Sequence, residues 1–125
     1  MPSKYSHLKK AKHNQSFYLS FDLHKTPFRD WVVTGIFYSA LHLIDAYLFA
    51  KGEPQSFSHT TRDNWIKTRR ELDPVWFNYR DLKEFRMKAS YKCCEFTPAE
   101  IEKEVIPLLD SIRKTIRLLD SSIVI

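Results

Sequence analysis

Residues 30–51, DWVVTGIFYSALHLIDAYLFAK, are aliphatic or aromatic on almost every side, so a helix formed from them has to be enclosed by other elements. At 3.6 residues per turn one polar stripe interrupts that surface, because Gly35, Tyr38, His42 and Asp45 fall on one side. A phenol, an imidazole and a carboxylate among Leu, Ile and Phe need hydrogen-bond partners, and they can supply one another's. The stripe is therefore either a satisfied structural network in the centre of a bundle or a pocket wall that meets a ligand. The run is also about as long as a bilayer requires. His42 and Asp45 near its centre are expensive in lipid, and the rest of the chain is amphipathic and charged, so a core helix of a soluble domain is the expectation.

A chain of 125 residues with 43% apolar content is long enough for one compact domain, spanning 1–125, and too short for two. Residues 1–16 are polar and rich in Lys and His, without the apolar middle of a secretory leader, which predicts a cytoplasmic protein and no membrane partner. Cys93 and Cys94 are adjacent, which disfavours a disulfide between them, so both are expected as reduced thiols at a helix end.

Only two glycines occur, and apolar residues recur at three and four spacing, which predicts helices throughout. The first is expected over 3–24, with Leu8, Ala11, Phe17, Leu19 and Phe21 available to the core, and Thr26–Pro27 marks a stop and a new start. The second covers 27–51 and closes on Gly52 as a left-handed cap, followed by a loop over 53–58 that contains Pro54. Thr60 or Thr61 is the expected cap of a short third helix reaching Leu72, anchored by Trp65, Ile66 and Leu72. Pro74 opens a fourth with the stripe Val75, Tyr79, Leu82, Phe85 or Arg86, and Ala89, ending within 91–95.

Thr97, Pro98, Ala99 and Glu100 spell a capping box with proline at the first helical position. The last helix follows, with the stripe Ile101, Val105, Leu108, Leu109, Ile112, Ile116, Leu119 and Ile123, and Pro107 is expected to bend it. These elements predict an all-α fold, an antiparallel up-down four-helix bundle with one short extra helix. An aromatic content of 14% and the apolar tail 123–125 suit a homodimer.

The net charge of +5 is unevenly spread. Lys4, Lys9, Lys10 and Lys12, with His7 and His13, precede the first acid, Asp22, and Arg80, Lys83, Arg86, Lys88 and Lys92 share the fourth helix, where Glu84 is placed to pair with Lys88. Such a group is either a solvated face or a contact for nucleotide or RNA phosphate. There is no phosphate-cradling glycine loop, no HExxH, no second cysteine pair and no Ser, His and Asp set in a recognisable context, so no metal and no cofactor is expected. His42 and Asp45 alone fall short of the inward-facing ligands that a helical metal site requires.

The segment FYSALHLIDAYL after a DW start, then SHTTR, then YRDLKEFRMKASYK leading into TPAE, resembles a HEPN domain over nearly the whole chain. The matching features are Phe37, Tyr38, Ala40 and His42 on the second helix, His59 and Arg62 three apart, and Tyr91 closing the fourth helix. The resemblance implies an all-helical, often dimeric domain that handles nucleotides or RNA, either beside a minimal nucleotidyltransferase or as a toxin ribonuclease. In ribonuclease members of that family an arginine precedes a histidine by four to six residues; here Arg86 is followed by Tyr91 instead, a degenerate Arg-x4-Tyr.

Tyrosine is a poor base at neutral pH, so the expectation is a nucleotide- or RNA-binding domain that does not cleave its ligand. The alternatives are a metal-independent endoribonuclease and a purely structural partner protein. The catalytic candidates are Arg86, Tyr91 and His42, and the candidate ligand contacts are Tyr38, Asp45, His59, Arg62 and Tyr79.

Overall fold

The computed structural model describes residues 3–54 and 58–125, and these form five helices with no strand among them. The helices are α1 (Lys4–Leu19), α2 (Arg29–Ala50), α3 (His59–Thr68), α4 (Asp73–Tyr91) and α5, which runs over 98–119. A single 3-10 turn, Arg70–Leu72, joins α3 to α4. Of the loop expected over 53–58, residues 55–57 lie outside the described residues.

α1 stops at Leu19 rather than continuing to His24, because short polar side chains compete for the backbone there. The Ser20 hydroxyl donates to the Phe17 carbonyl, the Asp22 carboxylate accepts from the His24 amide, and the Asp22 carbonyl accepts from Lys25 and Thr26. The resulting turn is tied to α2 by Arg29, whose guanidinium donates to the Leu23 and His24 carbonyls. Within α1, Tyr18 falls on the same side as buried His7 and Ala11 and faces the core, while Phe17 and Leu19, expected in the core, remain exposed.

α2 is the central element, buried against α1, α4 and α5. It closes at Gly52 (φ 92°), with the Glu53 amide on the Leu48 carbonyl and the Gly52 amide on the Phe49 carbonyl, the double bond of a left-handed cap. Its 18-residue apolar window is 78% buried within the protein, as a core helix requires.

α1 and α2 run antiparallel, since His7 meets His42, the Ser39 hydroxyl donates to the Ala11 carbonyl, and Gly35 meets Phe17 and Tyr18. Gly35 permits that approach. A Cβ there would lie 3.1 Å from both Phe17 Cδ1 and Tyr18 Cβ, tighter than ordinary van der Waals contact.

Ser58, not Thr60 or Thr61, caps α3 by accepting from the Thr61 amide. Ile66 and Leu72 are buried as anchors, and Trp65 is half-buried. In α4, Val75, Tyr79 and Leu82 are fully enclosed, and the helix ends before Cys93, which takes a left-handed backbone (φ 51°). Both cysteines are free and exposed.

The capping box forms as the sequence requires: the Glu100 amide donates to Thr97 Oγ1 and the Thr97 amide to Glu100 Oε1. Within α5, α-helical Pro98–Glu100 passes into a π-turn, Ile101–Val105, before regular helix resumes over Ile106–Leu119. Pro107 explains the turn. It has no N–H to offer and its ring crowds the carbonyl one turn back, so the backbone widens and the Ile106 amide bonds to Ile101 instead. Ile101, Val105, Leu109, Ile112 and Ile116 still line the core side.

Candidate functional site

The polar stripe of α2 does not satisfy itself; its members are met by three other helices, α1, α3 and α4. Tyr38 accepts from Arg86 of α4 at 3.0 Å, His42 faces His7 of α1, Asp45 holds Arg62 of α3, and Gly35 admits α1.

The Asp45–Arg62 pair is the most enclosed. Arg62 Nε and a terminal nitrogen donate to the two carboxylate oxygens at 2.7 and 3.0 Å, and both residues are 6% exposed. Such a fork is the strongest geometry an arginine and a carboxylate share. Burial presses the guanidinium's pKa down, but the Asp45 carboxylate more than offsets it, so the net shift is upward. The remaining terminal nitrogen of Arg62 donates to His59 Nδ1 at 3.4 Å.

A buried carboxylate thus orients a guanidinium, which orients an imidazole at the surface. With Nδ1 accepting, a neutral His59 carries its proton on Nε2 and presents a donor outward. Burial, then the charge of Arg62 and of Lys83, holds the His59 pKa below its usual value, and Arg86 acts in the same direction.

Arg86 is half-buried, and among the described residues its hydrogen bond goes to a phenol, that of Tyr38. Its guanidinium carbon lies 5.5 Å from the centre of the Tyr91 ring, 5.7 Å from Tyr38 and 5.9 Å from Phe37. The aromatic set continues inward, Phe37 stacking on Tyr79 with centroids 5.7 Å apart and meeting Tyr38 edge-on at 5.2 Å. No carboxylate pairs with Arg86 among the described residues, and its Nε is buried without a hydrogen bond. Asp63 Oδ1 is in the same condition, whereas the buried Tyr79 hydroxyl interacts with Arg62 of the Asp45 network.

Most basic residues on and just after α4 are paired: Lys83 with Asp63 at 2.7 Å, Arg80 with Asp81 at 3.3 Å, and Lys92 with Glu84 at 3.2 Å, while half-buried Lys88 lies over the Phe85 ring. Glu84 therefore meets Lys92, two turns on, in place of the expected Lys88. These surface pairs read as a solvated face, from which half-buried Arg86 stands apart.

The structure therefore brings Tyr38, His59, Arg86 and the exposed Tyr91 to one surface. Asp45, Arg62 and Tyr79 lie beneath it, buried, with Asp45 and Arg62 orienting His59. His42 is separate, paired with His7. A cavity of about 530 Å³ is lined by Arg29, Ala89, Ser90, Cys93 and Phe96, and another of about 250 Å³ by Leu43, Arg113 and Ile123; Arg86 lines neither. His7 was not a sequence candidate, since nothing in the local pattern of α1 marks one histidine among Lys9, Lys10 and Lys12.

Burial pushes the His42 pKa down to about 4, the Asp45 carboxylate opposing it while His7, Arg62 and Lys10 reinforce it. The unfolded value is near 6.5, so between the two values the unfolded chain binds the extra proton. The stability this contributes is complete above about pH 6.5 and is lost as pH falls toward about 4. Urea midpoints measured from pH 7.5 to 4 should fall more steeply for the parent than for His42→Gln; parallel curves would contradict the burial of a neutral imidazole.

No family model, no curated protein and no solved structure matches this chain.

Proposed function

We propose that this chain is a HEPN-like domain that binds nucleotide or RNA phosphate without cleaving it, and that its four long helices form an antiparallel up-down bundle. The observation that carries the reading is Arg86: a half-buried guanidinium ringed by Tyr38, Tyr91 and Phe37, with no carboxylate partner among the described residues and a buried Nε left unbonded. An arginine in this state is suited to a phosphate, which accepts its fork of donors, while exposed Tyr91 offers a face for a base. His59 adds the outward Nε2–H, a phosphate donor rather than a proton acceptor.

The exposed aromatic residues Phe28 and Trp31 at the start of α2 support a homodimer, whose second copy covers them. A nucleotidyltransferase partner, as the family resemblance implies, is the other occupant proposed for that face, and the cytoplasm is the proposed location.

One observation favours the endoribonuclease as the second reading: His59 is held neutral close to Arg86, so the two stand in for the missing arginine–histidine motif. Against it, the hydrogen bond that His59 makes is to Arg62, not to Arg86. A purely structural role is less well supported, because Tyr38 and His42 keep part of their surface accessible.

Labelled single-stranded RNA incubated with the protein in EDTA separates the three readings. Binding predicts a gel shift that weakens as salt rises, intact RNA, and an affinity at least about tenfold lower for Arg86→Ala, the loss of one or two charge-assisted hydrogen bonds. RNA cut by the parent but not by His59→Ala would replace it with the nuclease. Absence of both signals at low salt would leave the structural role, and sedimentation of the free protein reports its dimer.

A further inference from the structure

Outside the phosphate-binding surface, α1 and α2 bring three metal-ligating side chains together. His7 Nδ1 and His42 Nδ1 face each other at 3.2 Å, and a ligand atom of Asp45 lies with them, all within 4.8 Å of one another. The rings are tilted by only 25°, with centroids 5.5 Å apart, so both nitrogens point into the space between the helices. We propose that His7, His42 and Asp45 form a binding site for one divalent transition-metal ion of the zinc class, which fastens α1 to α2. This inference is independent of the nucleotide reading.

The donor chemistry decides the class of ion. Two imidazoles and one carboxylate are borderline ligands, which favour Zn²⁺, Ni²⁺ or Cu²⁺ over Mg²⁺ and Ca²⁺, whose sites are built from oxygen. Two imidazole nitrogens at about 2.0–2.1 Å from a tetrahedral zinc stand about 3.3 Å apart, close to the separation of the two Nδ1 atoms.

A ring rotation suffices to aim both lone pairs at a common point on the Asp45 side; without an ion the same spacing serves an N–H···N hydrogen bond. Asp45 remains competent although Arg62 uses both of its oxygens, because a carboxylate offers about four lone-pair sites. Arg62 then acts as an outer partner that orients the ligating carboxylate. Its positive charge weakens the attraction for a cation, and an ion bound here forms bonds to nitrogen strong enough to offset it.

His42 is neutral near pH 7, since burial favours the uncharged imidazole, and the zinc ligand is the neutral form. On acidification Asp45, Arg62, Lys10 and His7 are the groups that face it.

Calorimetric titration of the metal-free protein with zinc chloride tests the site, beside His7→Gln, His42→Gln and a Cys93→Ser, Cys94→Ser double variant. The parent and the cysteine variant should bind one ion per chain. Either histidine variant should bind at least about 10–100-fold more weakly, the loss that outer-shell partners alone produce. Cobalt in place of zinc should give a visible spectrum without the thiolate charge-transfer band, and magnesium should give no heat.

Should a histidine variant fail to fold by circular dichroism, zinc protection of the parent's His7 and His42 from diethyl pyrocarbonate, read by peptide mass spectrometry, supports the site in its place. No zinc heat with the parent, undiminished binding in both folded histidine variants, or protection confined to His13, His24 or His59 would overturn the proposal.

Discussion

Replacing Asp45 by Ala is expected to lower stability by about 3–5 kcal/mol, because Arg62 then keeps its charge in the interior with nothing to balance it. Asp45 and Arg62 are each only 6% exposed and share two hydrogen bonds, so no water takes over the carboxylate's place. Against the 5–15 kcal/mol that holds a typical domain together, this loss is large enough to drop the melting midpoint by roughly 10–25 °C.

The contrast that identifies the cause is the double variant, Asp45→Leu with Arg62→Met. Removing both charges while preserving volume should restore most of the stability, as buried ion pairs exchanged for apolar contacts commonly do. Thermal melts of the single and double variants decide the matter. A double variant as unstable as the single one would mean that the pair's contribution lies in packing rather than in charge balance.

Phe37→Ala should cost about 3–5 kcal/mol, the usual range for removing a buried phenylalanine. Phe37 is fully enclosed and holds the aromatic set together, stacked on Tyr79 and edge-on to Tyr38, with the Arg86 guanidinium over its ring. Its loss therefore reaches the surface: Tyr38 and Arg86 lose the support that fixes them, and RNA affinity should fall even where the protein is folded. Ile112→Ala is the control. It opens a cavity in the same core from α5, away from the site, and should reduce stability while leaving affinity unchanged. Urea unfolding and gel shift on both variants test this pairing, and equal affinity losses would argue that the surface follows global stability alone.

How far the sequence reaches can be judged from particular residues. The core role of α2, the capping box at Thr97 and Glu100 and the stop at Gly52 formed where the pattern placed them, and the α5 stripe did so except at Leu119, which is exposed, and Leu108, which is half-buried. Pro107 announced a disturbance in α5, and its form, a π-turn over Ile101–Val105, follows from where the displaced amide finds a carbonyl. The end of α1 was misplaced by five residues, since the apolar spacing of 17–23 suits a helix while Ser20 and Asp22 capture the backbone for a turn.

The candidate site divides along the same line. Tyr38, His42 and Asp45 were legible as a polar stripe among apolar neighbours and Tyr79 as part of the α4 stripe, whereas His59, Arg62, Arg86 and Tyr91 were singled out by the HEPN resemblance. Their pairing was not legible, because each bond spans a different interval of chain: 48 residues from Tyr38 to Arg86, 35 from His7 to His42, and 17 from Asp45 to Arg62. Helical periodicity says which side of its own helix a residue occupies and nothing about which helix arrives there.

So the amino-acid order alone was enough for an all-helical chain with α2 inside, since hydrophobic periodicity and backbone capping act over a few residues. Packing between distant segments made Asp45 a buried anchor, left His59 exposed, placed Arg86 among Phe37, Tyr38 and Tyr91 with no carboxylate partner among the described residues, and set His7 against His42. The physical reason is that burial and electrostatic pairing belong to neighbours in space, which a linear pattern does not specify.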